Sequence, residues 1–214
     1  MDIDKIAKRA SQEIRAGQVI NLGIGLPTMV MEYLPDDLEV LIHSENGVLG
    51  TWKKTPRELA RPQLIDAGGN YITMRDGGSI FDSAVSFAII RRAKLDLSIM
   101  GAFEVDQQGN LANWKIPGRF SPGIGGAMEL AQKTTKVIVL CTHNDKYGKP
   151  KILRNCTLPL TGAHCVSRII TDKAVMDVSK DGLILREMSS NMELIDLISQ
   201  TEADLIIPNN MERF

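Results

Sequence analysis

The stretch Gln18-Val19-Ile20-Asn21-Leu22-Gly23-Ile24-Gly25-Leu26-Pro27 decides the fold class. Its first five residues form an apolar strand, and Gly23-Ile24-Gly25 makes a tight turn. Leu26 to Leu34 then read as a helix with Pro27 in its first turn, where a missing N–H costs little. Upstream, Ile3, Ile6, Ala7, Ala10 and Ile14 recur at helical spacing, and Gly17 supplies the stop. Downstream, Val40-Leu41-Ile42 is a second strand that ends at Ser44-Glu45-Asn46-Gly47.

The same alternation continues. Phe81 to Lys94 is a helix with Asp82 near its start, Leu95 to Met100 a buried strand, and Ala127 to Gln132 a short helix. Lys136 to Cys141 is a near-continuous apolar run, the pattern of a parallel strand covered on both faces. Ala174 to Val178 and Leu183 to Leu185 flank Lys180-Asp181-Gly182 and read as a hairpin. A helix over Asn191 to Ser199 and a strand over Leu205 to Ile207 follow. Strands alternating with helices predict an α/β fold, an open, mainly parallel sheet with flanking helices. The late hairpin predicts antiparallel strands at one edge. With no repeat or linker in sight, residues 1–214 read as a single domain.

Composition narrows the function. The formal charge is -1 and 43% of the residues are hydrophobic, which points to no nucleic-acid or membrane partner. The opening MDIDKIAKRA lacks the apolar core of a signal peptide, and no apolar run reaches the length of a membrane span. Cys141, Cys156 and Cys165 have no metal-ligand or CxxC spacing and read as reduced thiols of a cytoplasmic protein.

In open α/β sheets chemistry gathers beyond the carboxyl ends of strands, where both the first glycine turn and Glu45 fall. Asn46-Gly47 favours a tight turn that aims Glu45 out of the strand end. A carboxylate there can be a general base or a covalent nucleophile, and it can equally be a surface glutamate before a loop. Gly23-Ile24-Gly25 and Gly123-Ile124-Gly125-Gly126 each precede a helix, and together they can offer N–H donors to an oxyanion or a phosphate. Either turn alone can also be purely structural. Position 28 is Thr28, so the first turn is not a GxGxxG fingerprint, which sets aside a dehydrogenase half. His43, His143 and His164 are too scattered for a metal set and read as satisfied, non-catalytic histidines. Trp52 and Trp114 read as packing residues. Arg91, Arg92 and Lys94 complement a helix C-terminus.

Taken together, these blocks resemble the beta chain of the 3-oxoacid CoA-transferase family, which includes succinyl-CoA:3-ketoacid and acetoacetate/butyrate enzymes. The resemblance runs through Asn21-Leu22-Gly23-Ile24-Gly25-Leu26-Pro27-Thr28 and Ser44-Glu45-Asn46-Gly47-Val48-Leu49-Gly50. It continues in Gly109-Asn110-Leu111-Ala112-Asn113-Trp114, Gly125-Gly126-Ala127-Met128 and Cys156-Thr157-Leu158-Pro159-Leu160-Thr161-Gly162. The resemblance implies a CoA-transferase fold of the sugar-phosphate isomerase kind. It implies Glu45 as a catalytic nucleophile that carries CoA as a thioester in a ping-pong transfer from an acyl-CoA to a short-chain or 3-oxo acid. It places Asn21 and Gly126 at the thioester; Gly23, Gly25 and Gly125 of the two glycine turns, and Asn46 beside Glu45, are the further candidates for binding substrate or CoA. No cofactor or metal is implied, because coenzyme A is a substrate. The implied partner is a separate alpha subunit, in an α2β2 assembly. The alternatives are a CoA-ester hydrolase using the same glutamate and a non-catalytic member of a CoA-transferase complex.

Three positions depart from the family pattern. Gly69 stands where relatives usually carry a lysine, and Arg75 is the candidate substitute for its charge. Arg92-Ala93-Lys94 and Cys141-Thr142-His143 replace the usual Gly-Gly-His and Met-Glu-His. These swaps leave the acid pair open.

Overall fold

A computed structural model describes residues 3–119, 121 and 123–214. In chain order its elements are α1 (Ile3–Ser11), β1 (Val19–Leu22), a 3-10 helix (Leu26–Tyr33), β2 (Leu41–Ser44), β3 (Val48–Lys54), a 3-10 turn (Arg57–Leu59), β4 (Ile72–Ile80) and α2 (Ser83–Arg91). There follow β5 (Leu97–Gly101), β6 (Glu104–Asp106), β7 (Leu111–Ala112), α3 (Ala127–Lys133), β8 (Lys136–Leu140) and β9 (Ile152–Leu153). The remainder comprises β10 (Arg168–Ile170), β11 (Ala174–Ser179), β12 (Gly182–Met188), α4 (Leu194–Ser199), β13 (Leu205–Ile206) and β14 (Glu212–Arg213).

One large sheet organises the chain in the order β13-β12-β11-β10-β8-β5-β1-β2-β3-β4, with β14 also on β12. Its centre, β10-β8-β5-β1-β2, is entirely parallel. The α/β expectation therefore holds. The centre is buried from both sides, which explains its unbroken apolar strands. Along β8, Val137 and Val139 face the layer that holds Ile90 of α2 and Leu130 of α3. Ile138 and Leu140 face the layer that holds Ile6 of α1 and Val30 of the 3-10 helix.

Antiparallel strands extend both edges rather than one. β11 and β12 form the expected hairpin on one side. On the other side β2, β3 and β4 run as an antiparallel meander that the sequence reading did not assign. β4 is the outermost strand, its residues are mostly exposed, and Asp76-Gly77-Gly78 interrupts it, so it carries no strand-like alternation. A second sheet, β7-β6-β9, lies apart.

Helix expectations hold in place but not in length. α1 ends at Ser11 rather than running to Ile14. Leu26–Tyr33 is 3-10 rather than α, and both the N–H and the hydroxyl of Thr28 donate to the Gly25 carbonyl. Asp82 caps α2, accepting from Val85 N at 2.9 Å. Among the described residues, no helix is long and apolar enough to cross a membrane.

Candidate active site

β1 is flanked by β2 on one side and β5 on the other; the chain leads from β1 to β2 in one direction and from β5 on toward β8 in the other. A crevice opens at such a reversal, beyond the carboxyl ends of the strands. Here a cavity of about 580 Å³ occupies it. Gly23, Ile24 and Leu26 of the first glycine turn and Gly123 to Ala127 of the second both line it, together with Glu45. The two turns, about a hundred residues apart in sequence, thus meet at the carboxylate.

Glu45 follows the last residue of β2 in a turn closed by Gly47 N donating to Ser44 O at 3.0 Å. Gly47 has φ +118°, and a Cβ there would stand 2.0 Å from the Phe81 carbonyl. Only glycine fits, and the close approach ties the Glu45 turn to the start of α2. Ser44 Oγ accepts from Ala67 N at 2.9 Å, and Asn46 Nδ2 donates to Ile65 O at 2.8 Å. The loop from 65 to 70 is thereby fastened beside the carboxylate, with Gly68 near Ile24. Asn46 is committed to holding that loop.

Asn21, in β1, is fully buried beneath Glu45. Its Nδ2 donates to His43 O at 3.1 Å and lies 3.5 Å from Glu45 Oε2. Its Oδ1 has no hydrogen-bond partner among the described residues. Parallel register sets His43 beside Asn21 on one flank and Ser98 on the other, so a polar row crosses the floor of the site. His43 Nε2 is 2.9 Å from Ser86 Oγ of α2, and its ring stacks on Phe81. Burial pulls the His43 pKa down to about 4, which leaves a neutral imidazole near pH 7. Sequence reasoning set this histidine aside. The signal that could have found it is its position in β2, two residues before Glu45.

Gly126 closes the other side. A Cβ built on it would lie 3.1 Å from Phe87 Cζ and 3.5 Å from Glu45 Cγ. Gly23 is as tightly placed, with its added Cβ 3.2 Å from Ile99 O, while Gly125 adopts φ +48° on the cavity wall. Gly25, at φ +90°, shapes the turn without lining the cavity.

Arg75 does not take the place of the missing lysine. Its guanidinium donates to the carbonyls of Asp36 and Leu38 and lies 3.9 Å over the Trp52 ring. That position is at the opposite end of β2, in a separate cavity of about 630 Å³ that also includes Glu39 and Gln18. The reason is strand direction: β3 runs back to the start of β2, and β4, antiparallel to β3, begins there, so Arg75, early in β4, stays at that end. Neither glycine turn nor Glu45 reaches this cavity. Of the other histidines, His143 is held between the Thr171 and Thr201 hydroxyls, and His164 contacts Gln108 O. Among the described residues, no group of three His, Cys, Asp or Glu side chains is placed to hold a metal ion.

The family described as Coenzyme A transferase matches residues 3–195. This chain belongs to the coenzyme A transferase family. The transferase is 45% identical over 204 residues to the beta chain of a probable coenzyme A transferase of Bacillus subtilis, covering 95% of this chain and 94% of that one. It is 44% identical to the beta chain of the acetate CoA-transferase of Haemophilus influenzae, over 97% and 92% of the two chains. An acyl-CoA transferase structure from Escherichia coli O157:H7 superposes with a TM-score of 0.78 at 23% identity. That alignment covers 99% of this transferase and 43% of the longer chain, so the chain spans less than half of it. At that identity the likeness speaks for the fold alone.

Proposed function

We propose that this transferase moves CoA from an acyl-CoA to a short carboxylic acid through a thioester on Glu45. The observation that carries the reading is the convergence on one carboxylate of the Asn21 amide and the Gly126 backbone, inside a cavity walled by both glycine turns. A Glu45 oxygen attacks the thioester carbonyl carbon of the donor. The C–S bond breaks, CoA leaves as a thiolate and a mixed anhydride forms. The thiolate then attacks the Glu45 carbonyl carbon, the C–O bond breaks, and the donor acid departs as a carboxylate. The acceptor carboxylate repeats both steps in reverse order. A carboxylate is a weak nucleophile toward a thioester, so oxyanion stabilisation must lower the barrier. One well-aimed donor is worth roughly 3–4 kcal/mol elsewhere. The Asn21 amide and the Gly126 N–H are the donors this reading assigns.

The relatives are named as beta chains, and we infer a separate alpha subunit that completes the assembly. The test is intact-mass spectrometry of the chain co-purified with that partner and incubated with an acyl-CoA. The expected result is a CoA adduct on Glu45 that a carboxylate acceptor discharges and that Glu45→Gln never forms. Free acid released without an acceptor, and with no adduct, would mean a hydrolase.

A further inference from the structure

The cavity has a second charged group that the mechanism above does not use. Among the described residues, Glu45 and Lys151 are the only charged side chains on its wall. The same wall also carries apolar groups, including Met100, Leu130 and Leu140. Lys151 is half-buried, and its backbone is fixed twice: its N–H donates to His143 O and its carbonyl accepts from Val105 N, both at 3.0 Å. Its ammonium has no ion pair among the described residues. The carboxylates nearby are engaged elsewhere. Asp145 Oδ1 accepts from the Tyr147 and Lys149 N–H groups, and Asp172 Oδ1 accepts from His143 N at 2.7 Å. The charge is nevertheless felt locally, since Lys151 helps to hold the exposed Asp145 carboxyl below its ordinary range, after its hydrogen bond from Lys149.

A half-buried cation without a counter-ion is an unfinished electrostatic arrangement. Its place in the sheet suggests what completes it. Glu45 follows β2 and His143, which carries Lys151, follows β8, with β1 and β5 between them. Three inter-strand steps put these two ends about 14 Å apart. Both side chains line the one cavity, and a separation of that order between the strand ends leaves room for a short carbon chain.

Resting on the transferase reading, we propose that Lys151 is the subsite for a second carboxylate at the far end of the acyl group. The acids this site handles best are then short dicarboxylic ones, with one carboxylate reacting at Glu45 and the other paired to the Lys151 ammonium. A CoA phosphate is the competing anion. Its place on the same cavity wall as Glu45, with mostly apolar residues lining that cavity, favours the acyl end.

The test compares acetyl-CoA with succinyl-CoA on the chain assembled with its alpha partner, as wild type, Lys151→Met and Lys151→Arg. Expected is an unchanged Glu45–CoA adduct from acetyl-CoA in all three, which also reports that the variants fold. KM for succinyl-CoA should rise about ten- to a hundredfold in Lys151→Met and recover in part in Lys151→Arg. Equal losses on both substrates would overturn the proposal in favour of a CoA contact, and no loss on either would overturn it outright. A wild type that forms no adduct from any acyl-CoA would remove the transferase reading and this subsite with it.

Discussion

At the scale of single residues, the site depends on what lies under Glu45. Asn21 is fully buried, its Nδ2 serves both the His43 carbonyl and Glu45, and its Oδ1 is unpaired among the described residues. A buried polar atom left without a partner costs about 1–3 kcal/mol, so its retention under a reactive carboxylate points to a role beyond folding. Asn21→Ala is expected to lower kcat by roughly ten- to a thousandfold with little change in KM, because the amide acts on the charge that develops at Glu45. It should also cost about 1–3 kcal/mol in urea unfolding, since the His43 carbonyl loses its donor. Lost stability with an undiminished kcat would make Asn21 structural only. The candidate set was largely legible at this scale, because Asn21, Glu45 and Gly126 sit in recognisable local motifs. Lys151 and His43 were not, since their relation to Glu45 is made by neighbouring strands and not by spacing along the chain.

At the scale of elements, the Glu45 turn is held from both sides. Gly47 sits at φ +118° against the Phe81 carbonyl, and Gly47 O in turn accepts from Phe81 N at 2.9 Å. Gly47→Ala must push the hairpin of β2 and β3 away from α2. It is expected to cost at least about 2 kcal/mol and to abolish adduct formation on Glu45. Gly17→Ala is the comparison: Gly17 has φ +81° but its added Cβ meets nothing within 4 Å. It should cost only about 1 kcal/mol, through backbone strain alone, and leave activity intact. Thermal unfolding and the mass adduct read both variants, and similar behaviour of the two would mean that the contact with Phe81 is not the constraint. The elements also show why sequence reading succeeded where it did. β8 was plain because a strand covered on both faces must be apolar throughout, whereas β4, an exposed edge strand with two adjacent glycines, has no such requirement. That missed strand is what misplaced Arg75, since only its direction reveals which end of β2 the guanidinium reaches.

At the scale of the whole molecule, two buried histidines couple stability to pH. His43 and His143 both have pKa values pulled down to about 4 by burial, with the nearby Lys173 charge adding to the effect at His143. In the unfolded chain each returns to about 6.5. Between these values the unfolded chain binds protons that the folded one refuses, so acid favours unfolding. The stability held by the neutral imidazoles is fully present above about pH 6.5 and is lost as pH falls toward 4. Each histidine contributes up to about 1.4 kcal/mol per pH unit over that window. Carboxylates work differently. Glu13 is raised by burial but lowered further by Lys136 and Arg168, and Asp177 by Arg168 and Arg186, so both end below their ordinary values. Their contribution disappears only as pH drops through the carboxylate range, below most of the histidine window. Urea midpoints measured from pH 7 to pH 5 are therefore expected to fall steadily in the wild type and to flatten when both histidines become glutamine. A wild-type profile that is already flat between pH 6.5 and 5 would mean that the imidazoles take up protons without unfolding, and that their burial is not what sets the stability of the fold.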